Sequence, residues 1–368
     1  MAAFTSTSIL SPSQQLQRHL RLRPSFLSPN SLSTVRSPPN NKQLNYFDIR
    51  AAATPLFADP DVHDFASTSL TTSWAEFAEN VSGEWDGFGA DFTVQGKPIE
   101  LPEMVVPEAY REWEVKVFDW QTQCPTLAQS HNNSPSLMYK TIKLLPTVGC
   151  EADAATRYSI QERNITAQHK SAFAYQSTGC YVALWPTANQ IDSANKPMQL
   201  EHCLIDPTDK ESRVRIIQVL ELQESDLKLK SITVFVEQWY GPFRNGDQLG
   251  GCAIRDSAFA ATQPLKASQV SGVWQGLAAV AGFNTCQTMI QQLGDECVRK
   301  SFRDEADLIL LPKQLWCSLK RVEDKGTCCE VGWLLGEGRA ITSKCTFSST
   351  AELKDFVQLM DWCLQEQL

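Results

Sequence analysis

Acidic residues are missing from the first 47 positions of this 368-residue chain: Asp48 is the first carboxylate, and Arg18, Arg21, Arg23, Arg36 and Lys42 precede it among many serines and prolines. Such a stretch buries too little apolar surface to fold by itself, and its cationic, acid-poor, Ser-rich composition is that of an organelle transit peptide. Residues 1–51 are therefore expected to be a chloroplast transit peptide, with processing near Ile49-Arg50-Ala51-Ala52-Ala53, and residues 52–71 a linker. Long apolar runs are also lacking. None approaches the ~20 residues that cross a bilayer as a helix, so no transmembrane segment is expected. No second apolar segment follows the processing region, which places the mature chain in the stroma or on the stromal face of the thylakoid, with peripheral contact open.

Positive charge is scarce as well. The chain has 33 Lys and Arg against 42 Asp and Glu, a formal charge of −9, and loss of the basic leader makes the remainder more negative. Nucleic-acid binding needs a dense basic face to neutralise phosphates, and is not expected here. Twelve cysteines contain no Cys-x-x-Cys, which removes zinc-ribbon and thioredoxin spacings. Cys328 and Cys329 are adjacent, point to opposite faces of a strand and make a poor metal pair. After the leader only His63, His131, His169 and His202 remain. There is no Gly-x-Ser-x-Gly elbow, no phosphate or dinucleotide glycine loop and no His-Glu-x-x-His. Glu201 and Cys203 flank His202, but neighbours on a strand face away from it, so no catalytic residue, metal or cofactor is assigned.

What the chain does have is a phrase written twice. Val81-Ser82-Gly83-x-Trp85-x-Gly87-x-x-Ala90 returns as Val270-Ser271-Gly272-x-Trp274-x-Gly276-x-x-Ala279. Recurrence at fixed spacing, each time before strand-like sequence, implies two related β units. Glycine lets a strand bend and an indole fills a barrel floor, so Gly83, Trp85, Gly272 and Trp274 are candidates for barrel closure. Turn-rich sequence up to Gln263-Pro264 divides the chain into a first unit at 72–264 and a smaller second unit at 265–368.

Strand candidates separated by turns rather than helices imply antiparallel sheets. They lie at 137–145, 156–166, 172–185, 199–205, 213–222 and 227–240, then at 272–280, 307–311, 314–322, 327–335 and 339–347. Trp113, Val115 and Val117 alternate with Glu112, Glu114 and Lys116, which predicts another half-buried strand. After Ser231 the apolar phase slips by one residue, the mark of a β-bulge. A capping-box spacing at Ser73–Glu76, with Trp74, Phe77 and Val81 on one face, predicts a short helix before the first unit. Ser349–Glu352 has the same spacing, and Leu353, Phe356, Val357, Met360 and Leu364 form a helical stripe, so a C-terminal helix is also predicted. The expected fold is mainly β: two antiparallel barrel units in tandem, with short N- and C-terminal helices. Residues 284–305 receive no assignment.

Tryptophan is used unusually, with ten copies. An indole offers a wide apolar wall and one donor, which suits core packing or a planar hydrophobic ligand. Trp85, Trp113, Trp120, Tyr139 and Trp239 are the candidate pocket aromatics, with Arg157 and Arg213 as candidate partners for ligand carboxylates. Arg163 and Arg215 also lie on strands, although most strand arginines are expected to face solvent. Arg339 is expected to stack over Trp274 and close the second unit.

A Gly-x-Trp strand after a short helix resembles the opening of lipocalins and other calycins. The tandem units, with Leu311-Pro312-Lys313-x-x-Trp316, then Glu330-Val331-Gly332-Trp333-Leu334 and Arg339, resemble an uncharacterised two-unit calycin-like family of chloroplasts and cyanobacteria, related in fold to S-type and T-type phycobilin lyases. Ile341-Thr342-Ser343-Lys344 stands where that family would have an aromatic and a glycine, which bears on closure of the second unit. The resemblance implies a barrel suited to a tetrapyrrole, carotenoid or lipid-like ligand, with photosynthetic proteins as partners in complex assembly. Two alternatives stay beside it: an enzyme of tetrapyrrole or pigment metabolism, and an assembly chaperone or scaffold that holds no ligand.

Overall fold

Short apolar runs punctuated by turn residues fold into strands throughout the described part of the chain. The computed structural model describes residues 73–131, 134–146, 157–166, 172–186, 197–223, 226–247, 258–283, 290–322 and 326–363. The expected transit peptide and linker, His63 and His169 lie outside the described residues. The first sheet takes β1 (Glu84–Phe92), β2 (Asp119–Gln123), β3 (Thr126–His131), β4 (Ser134–Leu144), β5 (Arg157–Thr166), β6 (Phe173–Tyr175), β7 (Tyr181–Pro186), β8 (Pro197–Ile205), β9 (Ser212–Gln223) and β10 (Asp226–Gly241). The second takes β11 (Gly272–Gly282), β13 (Gly294–Arg303), β14 (Ile309–Leu311), β15 (Leu315–Val322), β16 (Gly326–Gly336), β17 (Arg339–Phe347) and β18 (Leu353–Cys363). β12 (Ile290–Gln292), although it follows β11, pairs in parallel with β6 and joins the first sheet.

Strand order in the first sheet is β12-β6-β7-β8-β9-β10-β1-β2-β4-β3, with β5 also on β4; in the second it is β13-β11-β18-β17-β16-β15-β14. The fold is mainly β, and among the described residues every strand pair but β12–β6 is antiparallel. The phase slip at Ser231 is a real irregularity: the β9–β10 register shifts between Leu229 and Ser231. A helix at 73–81, α1, crosses the flank that strand pairing leaves open. Its Trp74 Nε1 donates to the Gln129 carbonyl on β3 at 3.2 Å, and Asn80 Nδ2 donates to the Ser177 carbonyl just past β6 at 2.8 Å. Trp74 and Phe77 pack on Tyr175 with ring centroids 4.8 and 5.1 Å away.

The two sheets pack against each other through their outer faces. Leu204, Val214, Ile216 and Val234 of the first share a buried cluster with Leu315, Cys317, Val331 and Ile341 of the second. A second cluster joins Val182, Leu200 and Leu220 to Cys329, Cys345 and Phe356. Burying each large apolar side chain stabilises by about 1.5–3 kcal/mol, so these contacts hold the two sheets together. Among the described residues no helix is long and apolar enough to cross a membrane.

Two expected elements are different. The predicted C-terminal helix is β18, a central strand between β11 and β17. Phe356 on one face packs against the first sheet while Val357 and Leu359 on the other are buried within the second, so the period of two is lost and a helical stripe appears by coincidence. The apparent capping box at Ser349–Glu352 is a turn, in which Ser348 Oγ accepts the amides of Thr350 and Glu352 and Ala351 has φ 60°. The predicted strand at 112–117 is not one either. Residues Glu108–Glu112 form a one-turn helix, α2, and Glu114 at φ 55° breaks the extended run. The unassigned 284–305 stretch supplies β12 and β13.

Candidate functional site

Both copies of the repeated phrase build the same cluster. Trp85 Nε1 donates to the Val81 carbonyl at 2.9 Å, and Trp274 Nε1 donates to the Val270 carbonyl at 2.7 Å, which turns each buried indole inward from the start of its strand. An arginine lies over each: the Arg213 guanidinium is 4.2 Å from the Trp85 ring centroid, and that of Arg303 is 4.8 Å from Trp274 and 5.0 Å from Trp316. Each arginine pairs with a carboxylate opposite the next glycine of the phrase. Gly87 faces Glu237 and Gly276 faces Asp361 in register, and a Cβ on either glycine would overlap the backbone of the partner strand. Arg213 Nε donates to Glu237 at 2.7 Å, and Arg303 Nη2 donates to Asp361 at 2.6 Å. The expected stacking of Arg339 on Trp274 is thus made by Arg303 instead. Arg339 starts β17 on the outside, with Glu337 3.9 Å away.

Around the first cluster the interior is filled by a larger ionic network. Glu201, on β8, accepts five donors: Tyr181 at 3.0 Å and Arg215 Nη1 at 3.1 Å on Oε1, then Arg163 at 2.7 Å, Trp185 Nε1 at 2.8 Å and Tyr139 on Oε2. These donors come from β4, β5, β7 and β9. Arg215 Nη2 and Nε also reach Glu237, at 2.9 and 3.0 Å, and its guanidinium lies between the rings of Phe235 and Tyr139. Arg163 donates onward to Gln199 and stacks over Trp185 at 4.8 Å.

Charge states follow from this arrangement. Burial would raise the Glu201 carboxyl, but Arg163 and Arg215 reverse that and hold it at about 2. Glu237 is lowered in the same way by Arg213 and Arg215. Burial, reinforced by the Glu201 charge, pushes the Tyr139 and Tyr181 hydroxyls well above their usual range, so both stay neutral donors. His202 points away from Glu201, as strand alternation requires, and meets the second sheet with Nδ1 2.8 Å from Ser343 Oγ. Burial lowers its pKa to about 3, which leaves the imidazole neutral. Neither Glu201 nor His202 changes protonation near neutral pH.

The second interior is smaller. Arg303 Nε donates to Glu330 at 2.5 Å, its Nη2 donates to Thr342 Oγ1 at 2.8 Å, and Lys344 lies 2.9 Å from the other Glu330 oxygen. Burial would raise Glu330, yet Arg303 and Lys344 bring it to about 2. On the outside of β1, Glu84 Oε1 accepts the backbone hydrogens of Arg244 and Gly246 from the loop after β10. Asp86 lies buried beside it, raised to about 7 by burial and then by the Glu84 charge. A separate surface groove of about 430 Å³ lies along the 100–117 loop and is lined by Leu101, Val106, Tyr110 and Val117 among Glu100, Glu103, Arg111 and Lys116.

Of the residues singled out in the sequence, the fold brings Trp85, Tyr139 and Arg213 into the first interior, with Trp239 at its end donating to the Ser82 carbonyl at 3.2 Å. Trp120 packs elsewhere, with Leu101, Val105 and Val106, and stacks on Tyr158 at 4.9 Å. Trp113 is 60% exposed on the 100–117 loop and lines no interior. Arg157 is exposed on β5 and donates to the Gly246 carbonyl at 2.6 Å, so it meets no enclosed ligand. Glu201, Glu237, Tyr181 and Arg303 were not anticipated. The one available signal was Arg213-x-Arg215, two cations on one face of a strand whose other face, Val214 and Ile216, is apolar. Nine cysteines among the described residues are free thiols, and no group of three or more His, Cys, Asp or Glu among those residues could hold a metal ion.

One solved structure similar to this chain is a protein of unknown function from the DUF3598 family of Nostoc punctiforme PCC 73102, with a TM-score of 0.46 and 12% identity, covering 79% of this chain and 99% of that one. No family model and no curated protein matches the chain.

Proposed function

We propose that this chain is a non-catalytic, calycin-like assembly scaffold of the chloroplast stroma that works through its outer surfaces, and that its first interior is a structural ionic core. The reading is carried by Glu201, whose two oxygens take five donors from four strands while Arg213 and Arg215 are both engaged by Glu237. Carboxylates whose oxygens are already taken by neighbouring donors are not available to orient a guest, and among the described residues Arg213 Nη2 is the buried donor in this cluster without a hydrogen-bond partner. Acid–base chemistry finds little support, since Glu201 is held ionised and His202 neutral. The acid-free leader supports the plastid setting, where photosynthetic complexes would be the partners. Native mass spectrometry and solvent extraction of the purified mature protein test the reading. The expected result is a mass equal to the polypeptide; a stoichiometric tetrapyrrole, carotenoid or lipid would overturn it.

The groove along the 100–117 loop favours a second reading, a surface site for a hydrophobic or pigment-like ligand. Its volume lies within the usual ligand-pocket range of about 300–1,000 Å³, and Tyr110 and Val117 supply apolar walls. Fluorescence titration with a porphyrin or a fatty acid tests this: quenching that a Tyr110→Ala variant abolishes would establish the site, and identical titrations of both proteins would dismiss it.

A further inference from the structure

Residues 273–277 occupy, in the second copy of the phrase, the places that 84–88 occupy in the first. The outward set of the first copy is Glu84, Asp86 and Phe88; Glu84 and Asp86 are buried, and the loop after β10 lies over Glu84. The outward set of the second is Val273, Gln275 and Leu277, and both aliphatic residues are exposed. The copy that faces water is therefore more apolar than the copy that is covered, the reverse of what hydration alone would select.

Strand register extends this face. Phe302, 69% exposed, lies opposite Val273, and Val298, 59% exposed, lies opposite Leu277. A row Lys300–Gln275–Trp362–Arg339 crosses β13, β11, β18 and β17, with a cation at each end and an exposed indole between them. Glu337 beside Arg339 partly offsets that cation. One step along the strands, Leu277 is followed by Met360 and Ile341, which pack on the first sheet. The patch is thus the uncovered end of a face whose other end is already an interface.

Its chemistry selects the occupant. Aromatic and aliphatic side chains between lysine and arginine, on a chain of net charge −9, match a surface that is apolar within and anionic at its rim. A second copy related by a two-fold axis would set the cation-ended row against itself. We infer that the outer face of β11, β13 and β18 docks on an anionic lipid bilayer. This deepens the scaffold reading and rests on it, since it places binding on the outside of the molecule.

The test is vesicle flotation of the full chain without its leader. It should float with phosphatidylcholine vesicles containing about a third phosphatidylglycerol, weakly with phosphatidylcholine alone, and less as salt rises. Lys300→Glu with Arg339→Glu should lower the bound fraction at least about ten-fold, because each basic residue near the surface counts for roughly a factor of five. Phe302→Ser with Val298→Ser should lower it too, whereas Lys228→Glu on the first sheet should leave it unchanged. Circular dichroism checks folding, and the milder Lys300→Gln with Arg339→Gln stands in if the reversals do not fold. Equal flotation of all variants, or none by the parent chain, would overturn the inference. So would a dimer that the Phe302→Ser, Val298→Ser variant dissolves, which would identify the occupant as a second copy. A small molecule found inside the purified protein would overturn the scaffold reading and leave the flotation result standing.

Discussion

Inside the two copies of the repeated phrase, Trp85 and Trp274 each lie under an arginine that pairs with the carboxylate opposite the following glycine; outside, Glu84 is roofed by a loop while Val273 faces water. The arginines come from unlike places. Arg213 arrives from β9, on the far side of β10, whereas Arg303 arrives from β13, directly beside β11. What recurs is an arrangement of indole and charge rather than of chain, because a buried carboxylate opposite an obligatory glycine needs a cation from whichever strand curls within reach.

The copies also differ in redundancy, and this gives the largest expected effect. Glu237 has two arginines, whereas Asp361 pairs with one cation, Arg303, beside a hydrogen bond from Thr342 Oγ1 at 2.7 Å, and Arg303 shares Glu330 with Lys344. Arg303→Met should therefore cost about 3–5 kcal/mol, the range for a buried charge left unpaired, and Arg213→Met less than half of that. Urea unfolding of both variants measures it; equal losses would show that Arg215 does not compensate.

Acid should loosen the molecule in two stages. Burial lowers His202 from 6.5 to about 3, so stability falls as pH drops below 6.5, because the unfolded chain binds a proton that the folded chain refuses. Glu201 and Glu330, both held at about 2, add stability that is complete above 4.5 and is lost as pH falls towards 2. The unfolding free energy from urea titrations should decline between pH 7 and 3, with Asp86, which gains stability as pH falls from 7 to 4, offsetting part of the loss. A His202→Gln variant should flatten the upper stage and leave the lower one, and an unchanged upper stage would assign that loss elsewhere.

Gly87→Ala and Gly276→Ala sharpen the likeness between the copies. Each Cβ would meet partner-strand backbone, at Val236 and Met360, so each should cost about 1–3 kcal/mol by thermal denaturation, and by similar amounts. The smallest effect concerns the outer difference. Asp86 stands where the second copy has Gln275, and its raised pKa makes the folded state less stable as pH rises from about 4 through 7. Asp86→Gln should therefore gain stability at pH 8 and little at pH 4; a loss at pH 8 would mean the carboxylate is needed there.

Much of the strand pattern was legible because turns and period-two alternation are local. The Ser231 bulge, the paired indoles and the opposite faces of Glu201 and His202 all follow from spacing along one strand. The networks were not legible. Glu201 and Arg163 are far apart in the chain, and only the curl of the sheet brings them to 2.7 Å. Arg339 was a natural candidate for Trp274 because both sit in strands of one unit, yet only sheet order shows that Arg303 is the cation within reach. β18 was read as a helix because both of its faces are buried, and a strand buried on both sides shows no alternation.

The sequence by itself determined that this protein is mainly β, where most strands lie and that one opening phrase serves twice. Alternation along a strand states that its two faces differ. It does not state which face becomes an interior, which meets a neighbouring sheet and which is left to solvent. Tertiary structure alone decided that Glu330 and Arg303 turn inward while Val331 meets the other sheet, that five donors converge on Glu201, and that Val273 and Phe302 stay uncovered. The physical reason is that burial and ion pairing depend on distances between strands, which are set by sheet curl and packing rather than by neighbours in the chain.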